Sequence, residues 1–194
     1  MPSDPLILAF DTSAAHCAAA LLLGDTVLAA QAEEMGRGQA ERLVPLLAQV
    51  LAEAGHGWGD LARIAVGVGP GNFTGIRISV ATARGLGLAL GIPVLGVSSF
   101  HAIRTHSPGA RAAVPAPRDQ VYLQASPQDT PQLLPMGAAG APLAFPPAPA
   151  QLCIAMAQAA LQMPADSPAP APLYIRAADA APARDVPPVI LDDA

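Results

Sequence analysis

Leu6-Ile-Leu-Ala-Phe-Asp-Thr-Ser-Ala-Ala-His-Cys-Ala-Ala-Ala-Leu-Leu-Leu-Gly-Asp-Thr-Val-Leu-Ala-Ala-Gln-Ala32 decides the fold. Leu6 to Phe10 is an apolar run of strand length, and it ends at the polar turn Asp11-Thr12-Ser13. Two further apolar stretches, Ala18 to Leu23 and Thr26 to Ala32, flank Gly24-Asp25. A two-residue turn between such stretches predicts a β-hairpin. The chain therefore opens with three neighbouring antiparallel strands.

Downstream the period changes. Ala40 to Ala54 has helical spacing and stops at Gly55, with Pro45 admissible only near the first turn or as a kink. Ile64 to Val68 predicts a strand, Thr74 to Leu90 a second helix ended by Gly91 and Pro93, and Pro93 to Val97 another strand. Ser98 or Ser99 is placed to cap a helix through Thr105. The order βββαβαβα is not a plain alternation of strand and helix. It predicts an α/β protein with a mixed sheet flanked by helices, the actin-like or ribonuclease-H-like lobe.

Proline divides the chain: six of the 22 prolines fall in residues 1–108 and sixteen in 109–194. Because proline breaks long regular elements, the second part must use short ones. The expected division is an N-terminal lobe, 1–107, and a shortened, proline-rich C-terminal lobe, 108–194. Within the second lobe, Ala112 to Val114 and Val121 to Ala125 suit a hairpin, Ala150 to Met163 suits a helix, and the chain from Pro164 onward reads as mostly extended.

Composition narrows the function classes. Apolar residues make up 52% of the 194, but much of that is alanine, and no run approaches the roughly 20 apolar residues of a membrane-spanning helix. The opening lacks the basic start and long apolar core of a signal peptide, so the chain is expected to be cytoplasmic. Cys17 and Cys153 lie in alanine-rich surroundings and read as buried free thiols. Net charge is -5 and every basic side chain is arginine. Ten dispersed arginines against fifteen acids do not make the clustered basic face that phosphate binding needs. Nucleic-acid binding by this chain alone is therefore expected to be weak.

Residues 69–75 are the sharpest local signal. Glycines at 69, 71 and 75 between a strand and a helix allow positive φ and close backbone approach, and the helix start favours an anion. The run is neither a P-loop nor a dinucleotide fingerprint. A tight strand-to-helix connection packed under Phe73 and an anion cradle both fit it. Asp11, Thr12, Gly71, Thr74 and Arg77 are the candidate contacts for an anion or nucleotide. Asp11 also suits a turn carboxylate satisfied by nearby backbone N–H groups. Arg77 stands where the helix dipole disfavours a cation, so an anionic partner is expected: Asp11, a ligand phosphate or a carboxylate on another protein. Catalytic signals are poor. His16, His56, His101 and His106 form no zinc-type pair, no Cys-x-x-Cys occurs, and no nucleophile elbow is present, so neither metal ligands nor catalytic residues are assigned.

The two helices carry more information. On the second, Arg77 and Arg84 share one narrow strip, while Gly75, Ser79, Ala83 and Gly87 form a small-residue groove at i, i+4 spacing beside Ile76 and Val80. On the first, Leu43, Leu46, Leu47 and Val50 belong to a wide apolar arc. A helix covering one sheet needs a single stripe, so the excess must be covered by the protein's own second half or by a partner. That half is short and proline-rich, which favours a partner. These ten residues are the expected partner interface.

Assembled, the motifs resemble the TsaB (YeaZ) family: Ile7-Leu-Ala-Phe-Asp-Thr-Ser13, Glu41-Arg-Leu-Val-Pro45, Gly67-Val-Gly-Pro-Gly-Asn-Phe-Thr-Gly-Ile-Arg77, Ile92-Pro-Val-Leu-Gly-Val-Ser-Ser99 and Pro172-Leu-Tyr-Ile-Arg176. The resemblance is strong over 6–104, patchy around 112–124, and resumes at 151–178. It implies the actin-like ATPase fold and an accessory, non-catalytic role in making threonylcarbamoyladenosine beside the tRNA anticodon. The implied partners are a catalytic TsaD-type subunit, which family dimers engage through the helices matching 40–54 and 74–90, and a TsaE-type ATPase subunit. It also implies tRNA held only through the complex, a homodimer as an option in isolation, and ATP or ADP bound, if at all, at the complex interface. The sequence departs from the family at Gln39-Ala40-Glu41, at Asn72, at Ala116-Pro-Arg-Asp-Gln-Val-Tyr122 and in an abbreviated 125–150. A competing reading is a stand-alone actin-like ATP-dependent phosphotransferase or hydrolase using Asp11 and the 69–75 loop, but no second phosphate loop follows. A metallopeptidase reading lacks ligands.

Overall fold

The computed structural model describes residues 4–175. Arg176 of the closing motif, and the extended reading beyond it, lie outside the described residues. The opening strands β1 (Leu6–Asp11), β2 (His16–Leu23) and β3 (Thr26–Glu34) pair antiparallel, with Leu23 opposite Thr26 at the hairpin end. On the other side of β1 come β4 (Arg63–Gly67) and β5 (Val94–Val97), both parallel. The resulting order, β3-β2-β1-β4-β5, is the mixed sheet of an actin-like lobe.

Strand alternation sends β1 side chains to two cores. Leu6, Leu8 and Phe10 face α1 (Gln39–Glu53) and α2 (Phe73–Leu90), packing with Leu43, Leu46, Leu47, Val50, Ile76 and Val80. Ile7 and Ala9 face the opposite layer, with Ala18, Ala20 and Ala65. That second face is covered by α4 (Pro149–Leu161), which is apolar around most of its circumference, as a buried helix should be. Its Ala155, Ala157, Ala159 and Ala160 lie on an alanine-rich sheet face, so helix and sheet approach closely. Arg63 of β4 donates from Nη1 to the carbonyls of Ala160 (3.2 Å) and Met163 (3.1 Å), capping the end of α4.

The position of α4 corrects the expected lobe division. By sequence it belongs to the C-terminal part, yet in space it completes the first sheet. What remains of a second lobe is the antiparallel sheet β6 (Ala112–Ala116), β7 (Gln120–Gln124) and β8 (Gln132–Pro135), the last of which the sequence did not reveal. It joins the first lobe through α3 (Ser99–His106), whose Phe100 and Ile103 pack on Ala112 and Val114. Ser98 caps α3 through its Oγ to the His101 N–H. Pro45 sits well inside α1 rather than in its first turn. Glu41, whose carbonyl loses its helical donor, and Pro45 are both exposed, so water can replace the missing bond.

Helix orientation corrects the interface expectation. Leu43, Leu46, Leu47 and Val50, and likewise Gly75, Ile76, Ser79, Val80, Ala83 and Gly87, are all buried within the chain itself. The Gly75-Ser79-Ala83-Gly87 groove faces the sheet. A Cβ on Gly75 would strike the Thr12 carbonyl and one on Gly87 would strike Val94, while Ser79 Oγ donates to the Gly67 carbonyl (3.2 Å). The groove receives the protein's own strands, not a foreign helix.

Candidate functional site

The site grows from the end of β1. Asp11 is fully buried, and its Oδ2 accepts from the Ser13 N–H (3.0 Å), Ser13 Oγ (2.9 Å) and, at 2.7 Å, His16 Nε2. An ionised Asp11 carboxylate can only accept, so Nε2 is the donor in this contact, and in a neutral imidazole Nδ1 is then an acceptor. Oδ1 has no hydrogen-bond partner among the described residues and lies against Gly67, where any Cβ would collide with it. The acid is therefore aimed at β4 and held by its own turn.

Thr12 Oγ1 donates to the Gly75 carbonyl (2.7 Å), and the Asn72 N–H donates to the Ser13 carbonyl (2.6 Å). Asn72 Oδ1 accepts from Gly75 N–H (2.8 Å) and caps α2. A Cβ on Gly71 would collide with the Ser13 carbonyl, and Gly69 has a φ of 95°. The glycines are needed because two loops are stitched backbone to backbone. Gln39 secures them from below. It is buried, and its Nε2 donates to the carbonyls of His16 (2.7 Å) and Ala14 (2.8 Å), with Thr12 O at 3.3 Å. The sequence marked Gln39 only as a departure; its role depends on contacts more than twenty residues away and has no local signature.

Of the five candidate anion contacts, the structure brings Asp11, Thr12 and Gly71 together and leaves Thr74 and Arg77 exposed on the first turn of α2. Of the three anionic partners expected for Arg77, Asp11 is not the one: among the described residues no carboxylate is within ion-pair distance. Its guanidinium lies 3.7 Å from the centroid of the Phe73 ring, and its Nε donates to Tyr174 Oη at 3.0 Å. Phe73 and Tyr174 stack with centroids 4.8 Å apart. Aromatic faces, which attract a cation through their quadrupoles, take the place of the acid.

Between these loops and the second sheet lies a cleft of ≈ 580 Å³, lined on one side by Ser13, His16 and Phe73 and on the other by Tyr122, Phe145 and a series of prolines. Among the described residues no arginine, aspartate or glutamate lines it. Several phosphate charges would enter it without a counter-charge, so the residues present do not fit a nucleoside polyphosphate held by this chain alone. Among the described residues no three His, Cys, Asp or Glu side chains are grouped to hold a metal ion, and no helix is long and apolar enough to cross a membrane.

The family model described as TsaD, tRNA N6-adenosine threonylcarbamoyltransferase, matches residues 27–130. YeaZ from Pseudomonas aeruginosa superposes with a TM-score of 0.60 at 34% identity, covering 71% of this chain and 70% of that one. The chain belongs to the TsaB/YeaZ family. A crystal structure described as an uncharacterized protein with similarity to peptidase YEAZ from Pseudomonas aeruginosa superposes with a TM-score of 0.68 at 27% identity, over 89% of this chain and 100% of that one. The protein named tRNA threonylcarbamoyladenosine biosynthesis protein TsaB from Escherichia coli is 37% identical over 94 residues, 48% of this chain and 40% of its own length. Its Bacillus subtilis namesake is 36% identical over 120 residues, 60% of this chain and 52% of its own length. The chain spans about half the length of the curated relatives it matches. In this chain the Asp11 turn and the 69–75 loop form a packed junction of β1, β4 and α2.

Proposed function

We propose that this chain is a non-catalytic accessory subunit in the biosynthesis of tRNA threonylcarbamoyladenosine, docking a catalytic TsaD-type subunit through the outward face of α1 and α2. Membership of the family supplies the pathway, which the relatives' names carry. The observation that supports docking is Leu88, 87% exposed on a helix whose neighbouring surface residues are Ala81, Gly85 and Ala89, with Arg84 at the margin of the strip. These three recur at i, i+4 spacing, and nothing lies within 4 Å of where a Gly85 Cβ would stand. Val44 and Ala48, four residues apart, are likewise exposed on α1. A small-residue strip beside an exposed leucine admits a second helix at close range, and water is a poor occupant for it.

In this role the chain works in the cytoplasm, with a TsaE-type ATPase in the same pathway, and tRNA reaches it only through the complex. A nucleotide at the complex interface would need its phosphates held by the partner's groups. A homodimer through the same face is the alternative occupant when the partner is absent.

The test is Gly85→Arg and Leu88→Asp, assayed for association with the purified TsaD-type subunit and for thermal unfolding. Both positions are open in the isolated chain, so the melting temperature should hold. A charge buried at a helix–helix contact costs several kcal/mol, roughly a hundredfold or more in association. Unchanged association by both variants would remove the docking reading, and threonylcarbamoyl transfer by the chain alone would remove the accessory one.

A further inference from the structure

The interlobe cleft presents two unused polar groups in an apolar setting. Ser99, at the start of α3, is 2% exposed; its N–H donates to the Gly69 carbonyl (2.8 Å), but its Oγ makes no hydrogen bond among the described residues. His16, 7% exposed, commits Nε2 to Asp11 and leaves Nδ1 without a partner among the described residues. Neither atom is sealed from solvent, and both residues line the same cleft, so both are free to meet a ligand's polar edge. Tyr122, Phe145 and Phe73 supply ring faces, and Pro115 and Pro146 supply flat apolar walls. The volume of ≈ 580 Å³ lies in the range of small-molecule sites.

We propose that this cleft binds a neutral, planar aromatic molecule, its ring against Tyr122 and Phe145 and a polar edge directed at His16 and Ser99. Neutrality follows from the lining. With no guanidinium or carboxylate among the described lining residues, an ionised ligand would lose its hydration and gain no counter-charge from them. Planarity follows from the ring faces and prolines, which favour stacking over a branched aliphatic group. The imidazole is fixed in orientation by Asp11, so its acceptor is presented to the ligand at little entropic cost. Walls from both sheets meet in the cleft, so occupancy would also tie the reduced second lobe to the first.

The test compares two dyes with one skeleton. N-phenyl-1-naphthylamine is neutral, planar in its naphthalene and carries an N–H; 8-anilinonaphthalene-1-sulfonate adds a negative charge. The full chain is titrated with each and followed by fluorescence. The neutral dye should bind saturably at one site, and the sulfonate at least about tenfold more weakly. Ala14→Trp, at an exposed position on the cleft rim, should abolish binding without lowering the melting temperature. Ser99→Ala removes an unpaired hydroxyl and should weaken neutral-dye binding by roughly threefold to tenfold. Absence of saturable binding, equal or tighter binding of the sulfonate, or an unaffected Ala14→Trp variant that keeps its fold would each overturn the proposal. Unchanged affinity in Ser99→Ala would overturn the assigned polar edge.

Discussion

His16 Nε2 lies 2.7 Å from Asp11 Oδ2, and this contact closes the turn between β1 and β2 on a carboxylate with no access to solvent. Three donors converge on that one oxygen. Asp11→Ala would leave all three unpaired in a buried place. Removing one partner of such a set costs about 3–5 kcal/mol, roughly 6–20 °C in melting temperature at this chain length. His16→Ala leaves Asp11 two of its donors and should cost less, about 1–3 kcal/mol. Urea denaturation followed by circular dichroism measures both. A loss below about 1 kcal/mol for Asp11→Ala would show that the turn does not depend on the carboxylate.

Gly85 and Gly87 are two residues apart on α2 and should respond in opposite directions. A Cβ at Gly87 runs into Val94 of β5, whereas one at Gly85 meets nothing within 4 Å. Gly87→Ala forces helix and strand apart and should destabilise by about 1–3 kcal/mol. Gly85→Ala restores helix propensity at no steric cost and should stabilise the isolated chain by about 0.5–1 kcal/mol. Equal effects of the two changes in thermal melts would mean that α2 is rotated from the orientation described above.

The same contrast explains what the sequence could and could not convey. β1 to β5 and α1 to α4 were legible because their apolar periods, caps and turns are local: Gly24-Asp25 for the hairpin, Ser98 for a helix start, Gly91 for a helix end. Which face of α2 turns inward was not legible, since small residues line both sides of it. The inward strip is matched to Thr12 and Val94 and the outward strip is not, and only tertiary contact distinguishes them. β8 escaped because Gln132–Pro135 is short and carries only two central leucines. α4 was legible as a helix but not as a cover for the first sheet, because its partner alanines lie more than eighty residues earlier. Arg77 was legible as a cation in need of a partner; that the partner would be Phe73 and Tyr174 depended on where the chain near residue 174 returns.

Cys17 and Cys153 are both fully buried free thiols. Burial, aided by the nearby Glu33 carboxylate, pushes Cys17 up from 9.0 to about 11, and burial pushes Cys153 well above its ordinary range. A thiol is an acid, so a raised pKa means that the folded state holds its proton where the unfolded chain releases it. The associated stability is intact below about pH 9 and declines as pH rises through about 11. Ellman's reagent at pH 8 should therefore find no reactive thiol in the native protein and two after guanidinium unfolding. Denaturation midpoints should hold from pH 7 to 8.5 and fall above 9. Rapid labelling of the native protein, or a midpoint that rises above pH 9, would contradict the buried placement.

The stack of Arg77, Phe73 and Tyr174 fastens the segment that follows α4 to the start of α2. Leu173 N–H donates to the Val68 carbonyl (2.8 Å), and the Leu173 side chain packs against both the α1/α2 core and the α3/β6 core. Tyr174 is 41% exposed, so its contribution comes from ring contact and the Arg77 hydrogen bond more than from burial. Tyr174→Ala should cost about 1–2 kcal/mol. Arg77→Lys should lose much of the same energy, because an ammonium cannot stack flat on Phe73 while also donating sideways to Tyr174. The decisive measurement is a double-mutant cycle of Arg77→Ala and Tyr174→Ala by chemical denaturation, with an expected coupling of about 0.5–1.5 kcal/mol. Strict additivity would show that the two side chains act separately and that Leu173 alone anchors the segment.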